Sequence, residues 1–170
     1  WFWHENENDK VKTPEQLFDI YLSSVGRGST LLLNIPPDKR GLFHENDVKA
    51  LQGFKAILKR EFAHNKALYA KVTASNTRGN NAGYTPANIT DGKANSYWAT
   101  NDEFTTGSYT LQFKTTQTVK YIVLQEYIQL GQRVKSFIAE AWINNSWQKV
   151  AEGTTIGYKR ILKINPVETE

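Results

Sequence analysis

Glu5, Glu7 and Asp9 form a polar run directly after the aromatic segment Trp1-Phe2-Trp3-His4. Carboxylates placed at the end of a strand are what general acid/base chemistry needs, and these three invite that assignment. A run of acidic and Asn residues is also the composition of a solvated loop, and it is read here as one. His4 could hydrogen-bond ligand hydroxyls or serve a structural role beside that loop. Asn34 is the one polar residue in Leu31-Leu32-Leu33-Asn34-Ile35. It falls at the carboxyl end of a short apolar run, where α/β sheets bind their ligands, or else it caps the strand end by bonding loop backbone. The chain has no cysteine, which removes disulfides and thiolate metal sites.

The elements that must position these residues follow from spacing. Trp1 to His4 reads as a short strand, with Trp1 and Trp3 on one face. Thr13-Pro14-Glu15-Gln16 is a helix start: Thr13 as N-cap, Pro14 at the first helical position, Gln16 completing a capping box. Leu17, Ile20, Tyr21, Ser24 and Val25 then follow a helical stripe, with Gly26 or Gly28 as left-handed C-cap. Residues 31–35, with no period-two alternation and closed by Pro36 and Pro37, read as a strand buried on both faces of a parallel sheet. Asn46 or Asp47 should cap a second helix whose Val48, Leu51, Phe54, Leu58 and Phe62 share a face.

Strand, helix, strand, helix makes two β/α units in series. Two such units leave a sheet face and both edges open, so the economical completion is an eight-fold barrel of which this would be the last quarter. From residue 70 the pattern turns to β: segments 70–75, 109–113, 119–126, 135–143, 147–151 and 158–164 are β-branched and aromatic, separated by Gly, Asn and Thr turns. That predicts an antiparallel sandwich or jelly roll, in which the long loop 76–101 is a place for binding or metal sites. The expected division is 1–65 for the barrel part and 66–170 for the sandwich. The chain opens on Trp1 rather than Met, and both parts look cut short, so a piece of a longer protein is expected.

The net charge of +4 comes from 21 basic and 17 acidic residues that are interspersed along the chain, and a clustered basic face is missing. Nucleic acid is therefore not an expected partner. No run approaches the roughly 18 apolar residues of a membrane span, so membrane insertion is not expected either.

Taken together, WFWHENENDKVKTPEQLFDIYLSSVGRGSTLLLNIPPDKRGLFHENDV resembles the end of the catalytic barrel of α-L-fucosidases of glycoside hydrolase family 29. AKVTASNTRG, ITDGKANSYWAT and GQRVKSFIAEAWINNSWQKVAEGTTIGYKRI resemble the discoidin-like (F5/8 type C) β-sandwich that follows the barrel in one branch of that family. Two domain signatures in the family's order span nearly the whole chain. The resemblance implies a multidomain protein, the last two β/α units of a TIM (β/α)8 barrel followed by a discoidin-like sandwich. It implies a retaining exo-acting hydrolase that removes α-linked L-fucose from fucosylated oligosaccharides, secreted or periplasmic in a bacterium, with no catalytic cofactor. Retention needs two carboxyls about 5 to 5.5 Å apart, and the family places its Asp nucleophile and Glu acid/base upstream of the position of Trp1.

Within the chain, the resemblance makes Trp1 the aromatic that covers the apolar face of fucose, against a reading as barrel packing. Trp3 shares its face as support, and His4 and Asn34 complete the substrate-binding candidates. Asp91-Gly92 with Ser96 resembles the calcium loop of discoidin-like domains, a hard-oxygen set suited to Ca²⁺, with a type I turn as the alternative; Trp98 is read as core. Asn88-Ile89-Thr90 and Asn144-Asn145-Ser146 fit the glycosylation sequon but carry no weight in a bacterial-looking family. The alternative function is a non-catalytic carbohydrate-binding module, in which the sandwich holds glycan through its loops.

Overall fold

The computed structural model describes residues 2–170 and divides into two compact units, Trp1–His64 and Asn65–Glu170. In the first, a 3-10 helix at Glu5–Lys10 precedes helix α1 (Pro14–Ser23) and helix α2 (Glu45–Phe62). The capping box of α1 is complete: Gln16 N donates to Thr13 Oγ1 at 3.2 Å, and Thr13 N donates to Gln16 Oε1 at 2.9 Å. After α1 the chain tightens through a 3-10 turn at Val25–Arg27 and leaves at Gly28, whose φ of +84° is the left-handed conformation glycine adopts at least cost.

Helix α2 is capped by His44, not by Asn46 or Asp47: Asn46 N donates to His44 Nδ1 at 3.2 Å. Its buried face also differs from the expected stripe. Ala50 and Ile57 are buried, while Val48 is exposed. Gly53 explains the rotation, because a Cβ there would lie 2.5 Å from Pro14 Cγ, so α1 approaches α2 over its small residues. Leu17 and Phe18 are the buried residues of α1. Phe18, Tyr21, Phe54 and Phe62 form a ring cluster with centroids 6.1 to 6.4 Å apart.

The two strands expected in this unit are not formed among the described residues. Phe2 to His4 and Leu31 to Ile35 carry no ladder, and Leu32 is 84% exposed rather than buried. Burial over 31–35 alternates instead, with Leu31, Leu33 and Ile35 partly covered and Leu32 and Asn34 open. A parallel strand earns its assignment from neighbours on either side, and no strand of this unit lies beside these segments to accept and donate the backbone bonds.

The second unit contains six strands, all paired antiparallel: β1 (Lys71–Ala74) with β2 (Tyr109–Gln112), β3 (Gln117–Leu124) with β6 (Arg160–Thr169), and β4 (Phe137–Ile143) with β5 (Ser146–Gly153). All six expected segments are present, displaced by one to a few residues at their ends. Bulges interrupt the β3–β6 register between Val119 and Tyr121 and the β4–β5 register between Ala139 and Glu140. Strand β6 also lies against β4 and β5. Gly153 pairs with Phe137, and a Cβ there would stand 2.6 Å from Phe137 Cζ, so the glycine is what lets the phenyl ring lie across the strand. Between β1 and β2 the long loop is organised by three 3-10 turns, Arg78–Asn80, Ala82–Tyr84 and Pro86–Ile89.

Candidate functional site

Trp1 lies outside the described residues. Trp3 is half-buried, and its indole Nε1 donates to Asn8 Oδ1 at 2.9 Å. Lys39 Nζ sits 5.6 Å from its ring centroid and pairs with Glu5 at 3.0 Å. These contacts give Trp3 a supporting role: it stitches the turn Glu5–Lys10 to the loop after Ile35. Asn46 Nδ2 adds a bond to Asn8 O at 2.8 Å across the same junction. Glu5 and Glu7 are paired with lysines at the surface, Glu7 with Lys10 at 3.4 Å. His4 is exposed, with its carbonyl accepting from Glu7 N.

Asn34 makes no side-chain hydrogen bond to the protein among the described residues, so it does not cap a strand end by bonding loop backbone. It lines a cavity of about 140 Å³ with Val11, Leu17, Leu33, Asp47 and Ala50. Beyond it, Asp38 organises the loop. Its carboxylate takes Arg40 N at 2.7 Å and Arg40 Nη2 at 2.6 Å, and Arg40 reaches on to Glu45 at 2.8 Å. The Arg40 hydrogen bond holds the Asp38 carboxyl below the usual carboxylate range.

In the second unit, Asp91 closes on its own loop. Oδ1 accepts Lys93 N at 2.8 Å and Oδ2 accepts Ser96 Oγ at 2.7 Å. The Ser96 hydrogen bond, then that of Lys93, lowers the Asp91 pKa. Gly92 follows at φ +75°, which makes the segment an Asx-type turn closed by glycine. The calcium reading gains no support from this geometry. One carboxylate oxygen takes the Lys93 backbone and the other the Ser96 hydroxyl, and no group of three or more His, Cys, Asp or Glu that could hold a metal occurs among the described residues. Trp98 is half-buried, donating Nε1 to Asn76 O at 2.8 Å and packing edge-on to Tyr109 at 5.7 Å.

A cluster that the sequence did not reveal gathers at the long loop. Tyr84 and Tyr97 have ring centroids 5.5 Å apart, and Tyr97 stacks on Tyr127 at 4.7 Å with 12° between planes. The Arg78 guanidinium carbon lies 5.9 Å from the Tyr84 ring and the guanidinium pairs with Asp102. Desolvation, ahead of its tyrosine neighbours, raises the Tyr97 pKa. Asn88 Nδ2 ties this assembly together by donating to Gly83 O at 2.9 Å and Tyr97 O at 3.0 Å. Flat rings beside a guanidinium offer stacking and fixed donors, which is binding chemistry.

Tyr127 is held there by Glu126. Its Oε1 accepts Arg133 N at 2.6 Å and Val134 N at 2.8 Å, and its Oε2 accepts Gly157 N at 2.6 Å. One carboxylate thus fixes the loop 127–134 and the approach to β6. No local sequence signal marks it, because the partners stand 7, 8 and 31 residues away.

Comparison with known proteins gives two family matches: F5/8 type C domain over residues 71–169 and Alpha-L-fucosidase over residues 1–61. A putative alpha-L-fucosidase 1 of rice (Oryza sativa subsp. japonica) is 42% identical, with 99% of this chain and 32% of the relative covered. The chain therefore spans about a third of that relative's length. The crystal structure of SpGH29 superposes at a TM-score of 0.90 with 36% identity, covering 100% of this chain and 36% of that one. A Ruminococcus gnavus GH29 fucosidase in complex with fucose matches at a TM-score of 0.90 and 32% identity, covering 100% of this chain and 34% of that one.

Proposed function

The chain belongs to the F5/8 type C domain family through residues 71–169, behind a segment at 1–61 that matches the α-L-fucosidase model, and from that premise we propose that the protein containing it is a retaining exo-α-L-fucosidase. The observation that carries the reading is the co-occurrence of both signatures, in that order, on one chain. On this reading residues 1–65 complete a (β/α)8 barrel, in which Leu31 to Ile35 gains the strand neighbours that its exposed Leu32 lacks here. The nucleophilic Asp and the acid/base Glu stand upstream of Trp1, about 5 to 5.5 Å apart, flanking the glycosidic bond.

The substrate is a fucosylated oligosaccharide, and the protein works outside the cytoplasm, secreted or periplasmic. Trp1 covers the apolar face of the fucose ring, and His4 and Asn34 supply polar contacts at the same barrel end. The open side chain of Asn34, with no protein hydrogen bond among the described residues, supports its place among them. Trp3 acts through the loop it braces. The direct test is release of L-fucose from an aryl α-L-fucoside or a fucosylated oligosaccharide by the full-length protein; no detectable release would reject the reading.

A second reading, a glycan-binding role for the sandwich, is favoured by the Arg78, Tyr84, Tyr97 and Tyr127 cluster. Titration of the full-length protein with fucosylated oligosaccharide, followed by calorimetry with and without Tyr97→Ala, separates it from the first. Loss of a binding step at unchanged hydrolysis supports a separate glycan site.

A further inference from the structure

Asn88-Ile89-Thr90 and Asn144-Asn145-Ser146 both carry the acceptor pattern for N-linked glycosylation, and the fold treats them in opposite ways. The Asn88 amide gives its hydrogens to Gly83 O and Tyr97 O, and Thr90 is 4% exposed. An Asn side chain has two donor hydrogens, so a sugar on Nδ2 would remove a bond that ties the tyrosine cluster together and would need space the core occupies.

Asn144 and Asn145 are the two central residues of the hairpin turn between β4 and β5, where Ile143 pairs with Ser146. Their φ values of +50° and +60° are those of the two-residue turn that matches strand twist, and Asn is among the residues that tolerate them. Asn144, Asn145 and Ser146 are all exposed, and the Asn144 amide makes no hydrogen bond to the protein among the described residues. The cross-strand neighbours just below the turn, Trp142 and Trp147, remain 39% and 51% exposed, so the unit itself leaves this end of the hairpin open.

We propose that Asn144 is an N-glycan acceptor and that Asn88 is not. In the transfer, Asn144 Nδ2 attacks C1 of the reducing-end sugar of a lipid-diphosphate-linked oligosaccharide. The Nδ2–C1 bond forms, the bond from C1 to the diphosphate oxygen breaks, the lipid diphosphate leaves with that electron pair, and the amide loses one proton to the transferase's base. The co-substrate and transferase belong to the eukaryotic secretory route, which a eukaryotic expression host supplies. The site asks nothing of the fucosidase reading.

Secretion of the full-length protein from a eukaryotic host, followed by peptide mass mapping with and without peptide N-glycosidase, tests it. The expected result is glycan on Asn144, none on Asn88, and loss of that glycan in Asn144→Gln while Asn144 occupancy persists in Asn88→Asp. A secreted protein with Asn144 bare, or with sugar on Asn88, overturns the proposal. The wild-type map reads both sites, so a variant that fails to fold does not blur the outcome.

Discussion

Glu126 and Gly157 hold each other through two hydrogen bonds. The Gly157 N–H donates to Glu126 Oε2 at 2.6 Å, and the Glu126 N–H donates to Gly157 O at 3.0 Å. Gly157 sits at φ +64°, and a Cβ there would come within 3.3 Å of Gln132 Oε1, so the turn, the carboxylate and the loop 127–134 fit as one unit.

Glu126→Gln should therefore loosen this end of the second unit without touching its strands. The amide keeps one acceptor but sets an NH₂ against a backbone N–H. A hydrogen bond to a charged group contributes about 1.5 to 3 kcal/mol, and a loss of about that size is expected in urea unfolding. Hydrogen exchange should rise at Arg133, Val134 and Gly157 first. Unchanged exchange at those three amides would remove Glu126 from its organising role.

Gly153→Ala should destabilise the β4–β5 hairpin by about 1 to 3 kcal/mol, the usual cost of overpacking, because the new methyl meets the Phe137 ring. Pairing it with Phe137→Leu should recover part of the loss. Equal losses in the single and double variants would contradict the contact.

Asp91 supplies a pH signature. Its carboxyl is lowered in the folded state by Ser96 and Lys93, so its contribution is present above the ordinary carboxylate pKa of about 3.9. That contribution fades as the pH falls through the lower folded value. Asp91→Asn should be less stable than the parent at neutral pH, with the gap closing below about pH 4. With Asp91 held by Lys93 N and Ser96 Oγ, a chelator should leave the melting temperature unchanged. A drop on chelation would restore the calcium reading.

Trp1→Ala and Trp3→Ala should differ in kind. Stacking on a ring contributes about 0.5 to 1.5 kcal/mol, so Trp1→Ala should lower kcat/KM for fucosides about two- to tenfold. Trp3→Ala, which breaks the bond to Asn8 and the contact with Lys39, should lower the melting temperature at a nearly unchanged KM. Identical kinetic losses in both would place Trp3 against the substrate as well.

Much of this architecture is written locally. The Thr13 capping box, the two helices and all six strands of the second unit follow from caps and alternation that lie within a few residues of each other. What failed was non-local. Leu31 to Ile35 carries a strand's composition, but ladder bonds require neighbours, and its Leu32 stands open here. The α2 face turned toward Ala50 and Ile57 because Gly53 admits Pro14, a contact between positions 39 residues apart by numbering. Asp91 and Ser96 were legible as a pair, and a mutual hydrogen bond joins them. Glu126 and the Tyr84, Tyr97 and Tyr127 stack join four separate stretches of chain, which no spacing rule connects.

The central claim is hydrolysis of α-L-fucosides with retention by the protein of which these residues are part. Proton NMR of the full-length protein acting on an aryl α-L-fucoside follows it directly. The account predicts that the α-anomer of L-fucose appears first and the β-anomer later, as free sugar mutarotates; release of the β-anomer first, or of no fucose, would contradict it.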